Sequence, residues 1–237
     1  MLNERKLPRT KSVERIDEIV RLCRGKRVLN IGMGGWLEDS AQTDLELSPL
    51  ALPETVHHRL ANVAGELVGT DISQDAIDRM KGDVPGSYFQ SDLMDPSFSS
   101  KFESRFEVVV LGEVLEHLDD FRTALQNIKS VLEPDGVLIL TTANAYSADR
   151  FAKMLFNYEA CHLEHTAYFS FVTIKRLLAM NGLEMADFRF YVERPSRVHR
   201  WGRFALYYGM RTLSFMLPQF SEGVFVIARL KKNEAGT

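Results

Sequence analysis

At 237 residues, 45% hydrophobic and 26% charged, the chain is long enough to bury one sizeable core and too apolar to be a disordered segment. A formal net charge of −3, from 29 basic and 32 acidic residues, weighs against a broad nucleic-acid-binding surface. No stretch approaches the roughly 18 uninterrupted apolar residues of a membrane span. Cys23 and Cys161 lie far apart, without metal-ligand spacing. The opening MLNERKLPRTK is basic with no apolar run behind it, so no secretory signal is expected, and a reducing, cytoplasmic setting follows as the default.

Taken in chain order, Ser12 to Cys23 carries Val13, Ile16, Ile19, Val20 and Cys23 at helical spacing. Lys26 to Ile31 is a short apolar run ending in glycines, the pattern of a buried strand. Gly34 to about Glu54 is polar and irregular, broken by Pro49 and Pro53. A short helix is predicted at Val56 to Val63, and strands at Leu67 to Thr70 and Ser87 to Gln90. Between those strands lies a helix through Lys81, with Ser73 as its N-cap. Phe106 to Leu111 (FEVVVL) is apolar throughout, as a central parallel strand should be. Residues 119–132 predict a helix with Phe121, Leu125, Ile128 and Leu132 on one face. The turn Glu133-Pro134-Asp135-Gly136 then leads to a strand at Val137 to Thr141. Strand and helix alternate up to residue 143, which implies a doubly wound parallel sheet. Later come a helix at Phe171 to Met180, closed by Asn181-Gly182, and strands at Leu183 to Val192 and Gly223 to Leu230.

Three strand ends carry ligand-compatible residues. In VLNIGMGG, Gly32 and Gly34 let the backbone turn sharply and approach a ligand closely. A dinucleotide fingerprint would need glycine at position 37, which is Leu37. Asp71, at the tip of the next strand, can accept both hydroxyls of a ribose, and Asp92 after the third strand can meet an exocyclic adenine amine. Each acid alone reads as a solvated loop residue. Three such tips at consecutive strand ends read as one site, because open α/β sheets bind ligands at the carboxyl ends of their strands.

Over residues 25–182 these motifs, with FEVVVLGEVLEHLDD and LEPDGVLILTTAN, resemble the class I S-adenosylmethionine-dependent methyltransferases. The resemblance implies a Rossmann-like α/β fold with a seven-strand, mostly parallel sheet, flanking helices and an antiparallel terminal hairpin. It implies S-adenosylmethionine as cofactor, bound by Asn30, Gly32, Gly34, Asp71, Ile72, Asp92, Leu93, Leu111 and Gly112. Asn30 stands where the family usually has an acid, and Trp36 where a third glycine is common. The expected organisation is a single domain over 1–237. It has an N-terminal helix at about 11–24, a cofactor-binding core at 25–143 and acceptor-side elements at about 144–170 and 194–217.

Methyl transfer to an alcohol also requires removal of the hydroxyl proton, by a general base or with the help of a metal ion. Glu113, Glu116 and His117 in GEVLEHL fall at i, i+3 and i+4, one face of a helix that begins near 113. His165 in HLEHTAYFS can fold back over the same rim, with His162 as the lesser alternative. The pattern resembles the EVxEH motif of small-RNA 2′-O-methyltransferases and ubiquinone-pathway O-methyltransferases. Carried over, that resemblance makes Glu113, Glu116, His117 and His165 ligands for Mg²⁺, Mn²⁺ or Zn²⁺ near the acceptor. Without a metal, His165 is the general base and Glu113 lines the methyl pocket. The bland reading of EVLEH is a helix start with acids at its positive end.

Arg194, Arg197, Arg200, Arg203 and Arg211 interleave with Trp201, Phe204, Tyr207 and Tyr208. This segment reads as an amphipathic helix with a solvated basic face, or as a clamp for a phosphorylated or lipid-linked acceptor at a membrane surface. Asn144-Ala145-Tyr146 followed by HLEHTAYFS resembles methyltransferases of bacterial glycan biosynthesis. The expectation is O-methylation of a small molecule or a sugar or glycan hydroxyl. RNA 2′-O-methylation and a cofactor-binding protein without catalysis stand as alternatives.

Overall fold

Apolar runs that end in glycine or aspartate recur through the first 143 residues, and each becomes a parallel strand. The computed structural model describes residues 6–34, 55–192, 209 and 212–232. The 36–55 insertion therefore lies almost wholly outside the described residues, as does most of the arginine- and aromatic-rich segment 194–217. The described strands are β1 (Val13–Glu14), β2 (Arg27–Ile31), β3 (Glu66–Asp71), β4 (Ser87–Gln90), β5 (Phe106–Gly112), β6 (Leu132–Ala143), β7 (Leu183–Val192) and β8 (Gly223–Leu230). They form one sheet in the order β1-β7-β8-β6-β5-β2-β3-β4. All pairings are parallel except those of β8, which runs antiparallel to both β6 and β7.

The sheet has eight strands rather than seven, because Val13 and Glu14 pair with Tyr191 and Val192 instead of opening a helix. The helix α1 (Arg15–Cys23) begins one residue later, where the Glu14 carboxylate caps it by accepting from Asp17 N at 2.8 Å. In the strand Val13 still packs against the core under α1, the burial its apolar spacing led one to expect of a helix.

The remaining helices are α2 (Val56–Ala61), α3 (Gln74–Asp83), α4 (Phe121–Val131), α5 (Ala148–Met154) and α6 (Phe171–Met180). A side chain caps each one: Thr55, Ser73, Asp120, Ser147 and Ser170, the last as a capping box with Thr173. β5 shows why its sequence is apolar throughout. Val109 and Leu111 enter the cluster under α4 and α6, while Val108 and Val110 enter the one under α1 and α2. Each such side chain is worth about 1.5–3 kcal/mol of burial. In β6, Leu132 pairs with Phe106 and Val137 with Val108, so the expected turn at residues 133–136 is a loop pushed out within the strand.

Beneath the glycine loop lies a buried polar chain. The hydroxyl of Tyr88 donates to Val84 O at 2.6 Å, so Tyr88 Oη accepts from His57 Nε2 at 3.3 Å. His57 Nδ1 then accepts from Asn30 Nδ2 at 3.2 Å. The imidazole has to be neutral for this pattern, and Gly69 leaves it room, since a Cβ there would fall 2.7 Å from His57 Cε1. Burial, helped by the charge of His58, pushes His57 down to about 4.

An unfolded histidine titrates near 6.5. The stability His57 contributes is therefore complete above that pH and is lost as pH falls toward 4. By pH 5 the loss should reach about 2 kcal/mol. Urea denaturation at pH 7.5 and 5 should show His57→Gln with a smaller pH-dependent drop than wild type. Equal drops would exclude this role.

Candidate active site

The cofactor-side residues are set by where the sheet reverses direction. From β2 the chain steps outward to β3 and β4, then returns to pair β5 on the other flank of β2. That reversal leaves an opening at the carboxyl ends of adjacent strands. Gly32, Gly34, Asp71 and Asp92 lie on three neighbouring tips, and Gly112 and Glu113 on the fourth.

Gly32 has φ +68°, the left-handed region that favours glycine, and a Cβ there would run into Val114. Gly32 N and Met33 N both donate to Thr70 O, at 2.8 and 3.1 Å. A Cβ on Gly34 would lie 2.5 Å from Ala76 Cβ and 3.0 Å from Asp71 Oδ2. The Asp71 carboxylate joins two loops, with Oδ2 accepting from Gly34 N at 2.8 Å and Oδ1 from Ser73 N at 3.0 Å. Each oxygen keeps a further acceptor position, which suits a vicinal diol. Asp92 Oδ1 accepts from Met94 N at 2.8 Å, which fixes the loop after β4.

The other expected cofactor residues divide by where their side chains go. Ile72 is 66% exposed at the rim beside Asp71. Leu93 and Leu111 bury their side chains in the core, so only their backbone can face a ligand; Leu93 O already accepts from Asn127 Nδ2 at 2.8 Å. Asn30 is buried and held by His57.

At the tip of β5, Glu113 has φ +56°, a strained conformation for a side-chain-bearing residue. Glu113 N donates to Thr141 O at 2.9 Å, and Glu113 Oε1 accepts from the Tyr191 hydroxyl at 2.7 Å. The helix expected to begin near 113 is instead a single 3₁₀ turn, Leu115–His117, so the two glutamates and His117 do not share a helical face. Glu116 points inward and is fully buried, its Oε1 accepting from Ala143 N at 3.4 Å. Burial, and then the charge of Glu113, raise its pKa to about 8. Two residues to which the sequence reading gave no site role complete this end. Arg15 is buried near Gly112, its guanidinium 5.8 Å from the Tyr191 ring centroid. Gly223, opposite Tyr191, provides the space for that ring.

His165 does fold back over the rim. Thr166 holds it there, donating from its N to Glu116 O at 2.8 Å and from its hydroxyl to Leu118 O at 2.5 Å. The His117 and His165 rings meet edge-on at 4.6 Å, and His162 joins them at 5.2 Å from His165 and 5.8 Å from His117. Burial and the neighbouring His117, His162 and Arg150 push His165 down to about 4, which leaves it neutral. In the chain leading to these rings Tyr146, Phe151, Phe156 and Leu163 are exposed, and α5 buries no residue at all.

The sequence matches the methyltransferase-domain family over residues 11–187. The chain belongs to that family, and with it to the class I S-adenosylmethionine-dependent methyltransferase superfamily. It is 27% identical over 127 residues to the ubiquinone biosynthesis O-methyltransferase of Actinobacillus pleuropneumoniae serotype 7 (strain AP76), covering 51% of this chain and 47% of that protein. The protein of the same name from Coxiella burnetii (strain Dugway 5J108-111) is 26% identical over 123 residues, covering 51% and 45%. The chain thus spans about half the length of the curated relatives it matches. Among solved structures, the N-methyltransferase NodS from Bradyrhizobium japonicum WM9, bound to S-adenosyl-L-homocysteine, aligns with TM-score 0.54 and 17% identity, covering 92% of this chain and 86% of that one. A SAM-dependent methyltransferase from Archaeoglobus fulgidus aligns with TM-score 0.56 and 17% identity, covering 90% of each. At these identities the structures show a shared fold.

Asp71→Asn places an amide N–H against a backbone N–H that needs an acceptor. Calorimetry should find S-adenosylhomocysteine bound about 10- to 100-fold more weakly, the scale of a lost charge-assisted bond. Unchanged affinity would mean that Asp71 only ties the loops together. Gly223→Ala would drive a methyl group into the Tyr191 ring and should cost about 1–3 kcal/mol in urea unfolding, as overpacking does. A neutral result would show that the ring is free to move.

Proposed function

We propose that this protein transfers the methyl group of S-adenosylmethionine to a hydroxyl oxygen of a small molecule or sugar. The observation that carries the reading is the cluster of histidines held by Thr166 at the rim of β5, beside the strand tips that suit the cofactor. Bound there, S-adenosylmethionine supplies a methyl carbon on a sulfonium, ready for in-line displacement. The residues present fit it. Asp71 has spare acceptor capacity for the ribose, exposed Ile72 offers an apolar edge, and Asp92 lies one strand further out for the adenine. Arg15, buried near Gly112, would pair with the methionine carboxylate.

On the acceptor side the work is positioning and proton removal. His165 is held neutral, so it can take a proton or ligate a cation. Glu113, fixed by Tyr191, lines the methyl end. The exposed aromatic and aliphatic side chains between residues 146 and 163 favour an acceptor with an apolar body, including a lipid-linked sugar. The relatives named O-methyltransferases support oxygen over nitrogen as the acceptor atom.

The test is a turnover assay following S-adenosylhomocysteine over phenols, free and lipid-linked sugars and ribonucleosides, with the product mapped by NMR. Methylation at oxygen is expected. His165→Ala should lower kcat by about 10²–10⁴-fold, the usual worth of hydroxyl activation, while cofactor affinity stays unchanged. Methyl groups found on nitrogen, or full activity in His165→Ala, would overturn the reading.

A further inference from the structure

The four-ligand set expected from the EVxEH pattern is not the set that comes together. The Glu113 carboxylate is engaged by Tyr191, and Glu116 is sealed in the core against Ala143. What gathers are three imidazoles. One ligand nitrogen from each of His117, His162 and His165 lies within 4.8 Å of the others. The geometry points to a three-histidine site for a zinc-type divalent cation, formed by His117, His162 and His165, with neither glutamate as a ligand.

Several features of the cluster support it. His165 Nδ1 is buried and has no hydrogen-bond partner among the described residues. An orphan of that kind is destabilising unless something binds it. Glu164 Oε2 stands 3.9 Å from His117 Nδ1, where an outer carboxylate can orient the ring. The bond that His162 Nδ1 accepts from Glu164 N is long, 3.3 Å, and ligation can exchange it. Zinc–nitrogen bonds of about 2.0–2.1 Å place ligand nitrogens about 3.4 Å apart, so the rings need draw in by at most about 1.5 Å. Imidazole donors select zinc-like cations over Mg²⁺, which prefers oxygen. Three protein ligands leave a coordination position open, the pattern of catalytic rather than structural zinc.

The role of such a cation in activating an acceptor rests on the proposed methyl transfer to oxygen. Its binding does not. The test is calorimetry of the full, chelator-stripped chain with ZnCl₂ and, separately, MgCl₂, alongside S-adenosylhomocysteine binding as a check on the fold. One Zn²⁺ per chain and no measurable Mg²⁺ are expected. His162→Ala, and the closer-sized His162→Gln, should weaken Zn²⁺ by more than about 100-fold, beyond the loss of a supporting bond. Glu113→Gln should leave Zn²⁺ affinity intact. Two results would overturn the site: no Zn²⁺ bound by a chain that binds S-adenosylhomocysteine, or Zn²⁺ lost in Glu113→Gln as fully as in His162→Ala. Zn²⁺ bound without S-adenosylhomocysteine would support the site and count instead against the methyltransferase reading.

Discussion

The Asp71 carboxylate holds the ends of two loops at once. One oxygen takes Gly34 N and the other Ser73 N, so the turn after β2 and the start of α3 are fixed relative to each other. Both donors are backbone groups next to parallel strand ends, where no further strand residue exists to receive them. Gly34 has to be glycine because Ala76, in the helix that Ser73 caps, already fills the space of a Cβ. A short stretch of sequence on each strand is thus constrained by one charged side chain. The same side chain keeps lone pairs beyond these two bonds, so stability and the proposed ribose contact make the same demand on position 71.

The methyl end depends on contacts from much further along the chain. Glu113 keeps its left-handed backbone with Thr141 O behind it and the Tyr191 hydroxyl in front. Tyr191 is next to last in β7 and lies over Gly223, the first residue of β8. β1 then pairs with the same end of β7 and brings Arg15 against the ring. The antiparallel hairpin and the N-terminal segment therefore build one wall of the site. A loosened hairpin would release Glu113 without touching the glycine loop.

The parts legible in the sequence are those that repeat a single physical rule. Buried parallel strands such as FEVVVL are apolar on both faces, the Ser73 cap announces α3, and Asn181-Gly182 closes α6. The glycines, Asp71 and Asp92, expected at consecutive strand ends, do lie on neighbouring tips of the sheet. The illegible parts are those where different rules give the same pattern. Val13 is apolar in a helix or in a two-residue strand. EVLEH has helical spacing, yet the strained Glu113 and the 3₁₀ turn send Glu116 inward and His117 outward. The role of His57 depends on Tyr88 and Gly69, which no local spacing links to Asn30. His162 gains its place because Thr166 and the residues after it fold back on Glu116 and Leu118, a contact invisible until the chain closes.

The two halves of the site are held by forces of different cooperativity. On the cofactor side, strand ladders and the apolar clusters beneath them carry the tips, and Asp71 ties two of those tips together. On the acceptor side, a few side-chain bonds carry the geometry. Thr166 reaches Glu116 O and Leu118 O, Asn144 reaches Gln219 O and Ser221 O, and Arg150 reaches Asn144 O while lying 4.5 Å from the Tyr168 ring centroid. The helix between them, α5, adds no buried residue. Segments tied this way can be rebuilt without disturbing the sheet, because little of the core depends on them. Such a division lets one fold keep its cofactor while changing its acceptor.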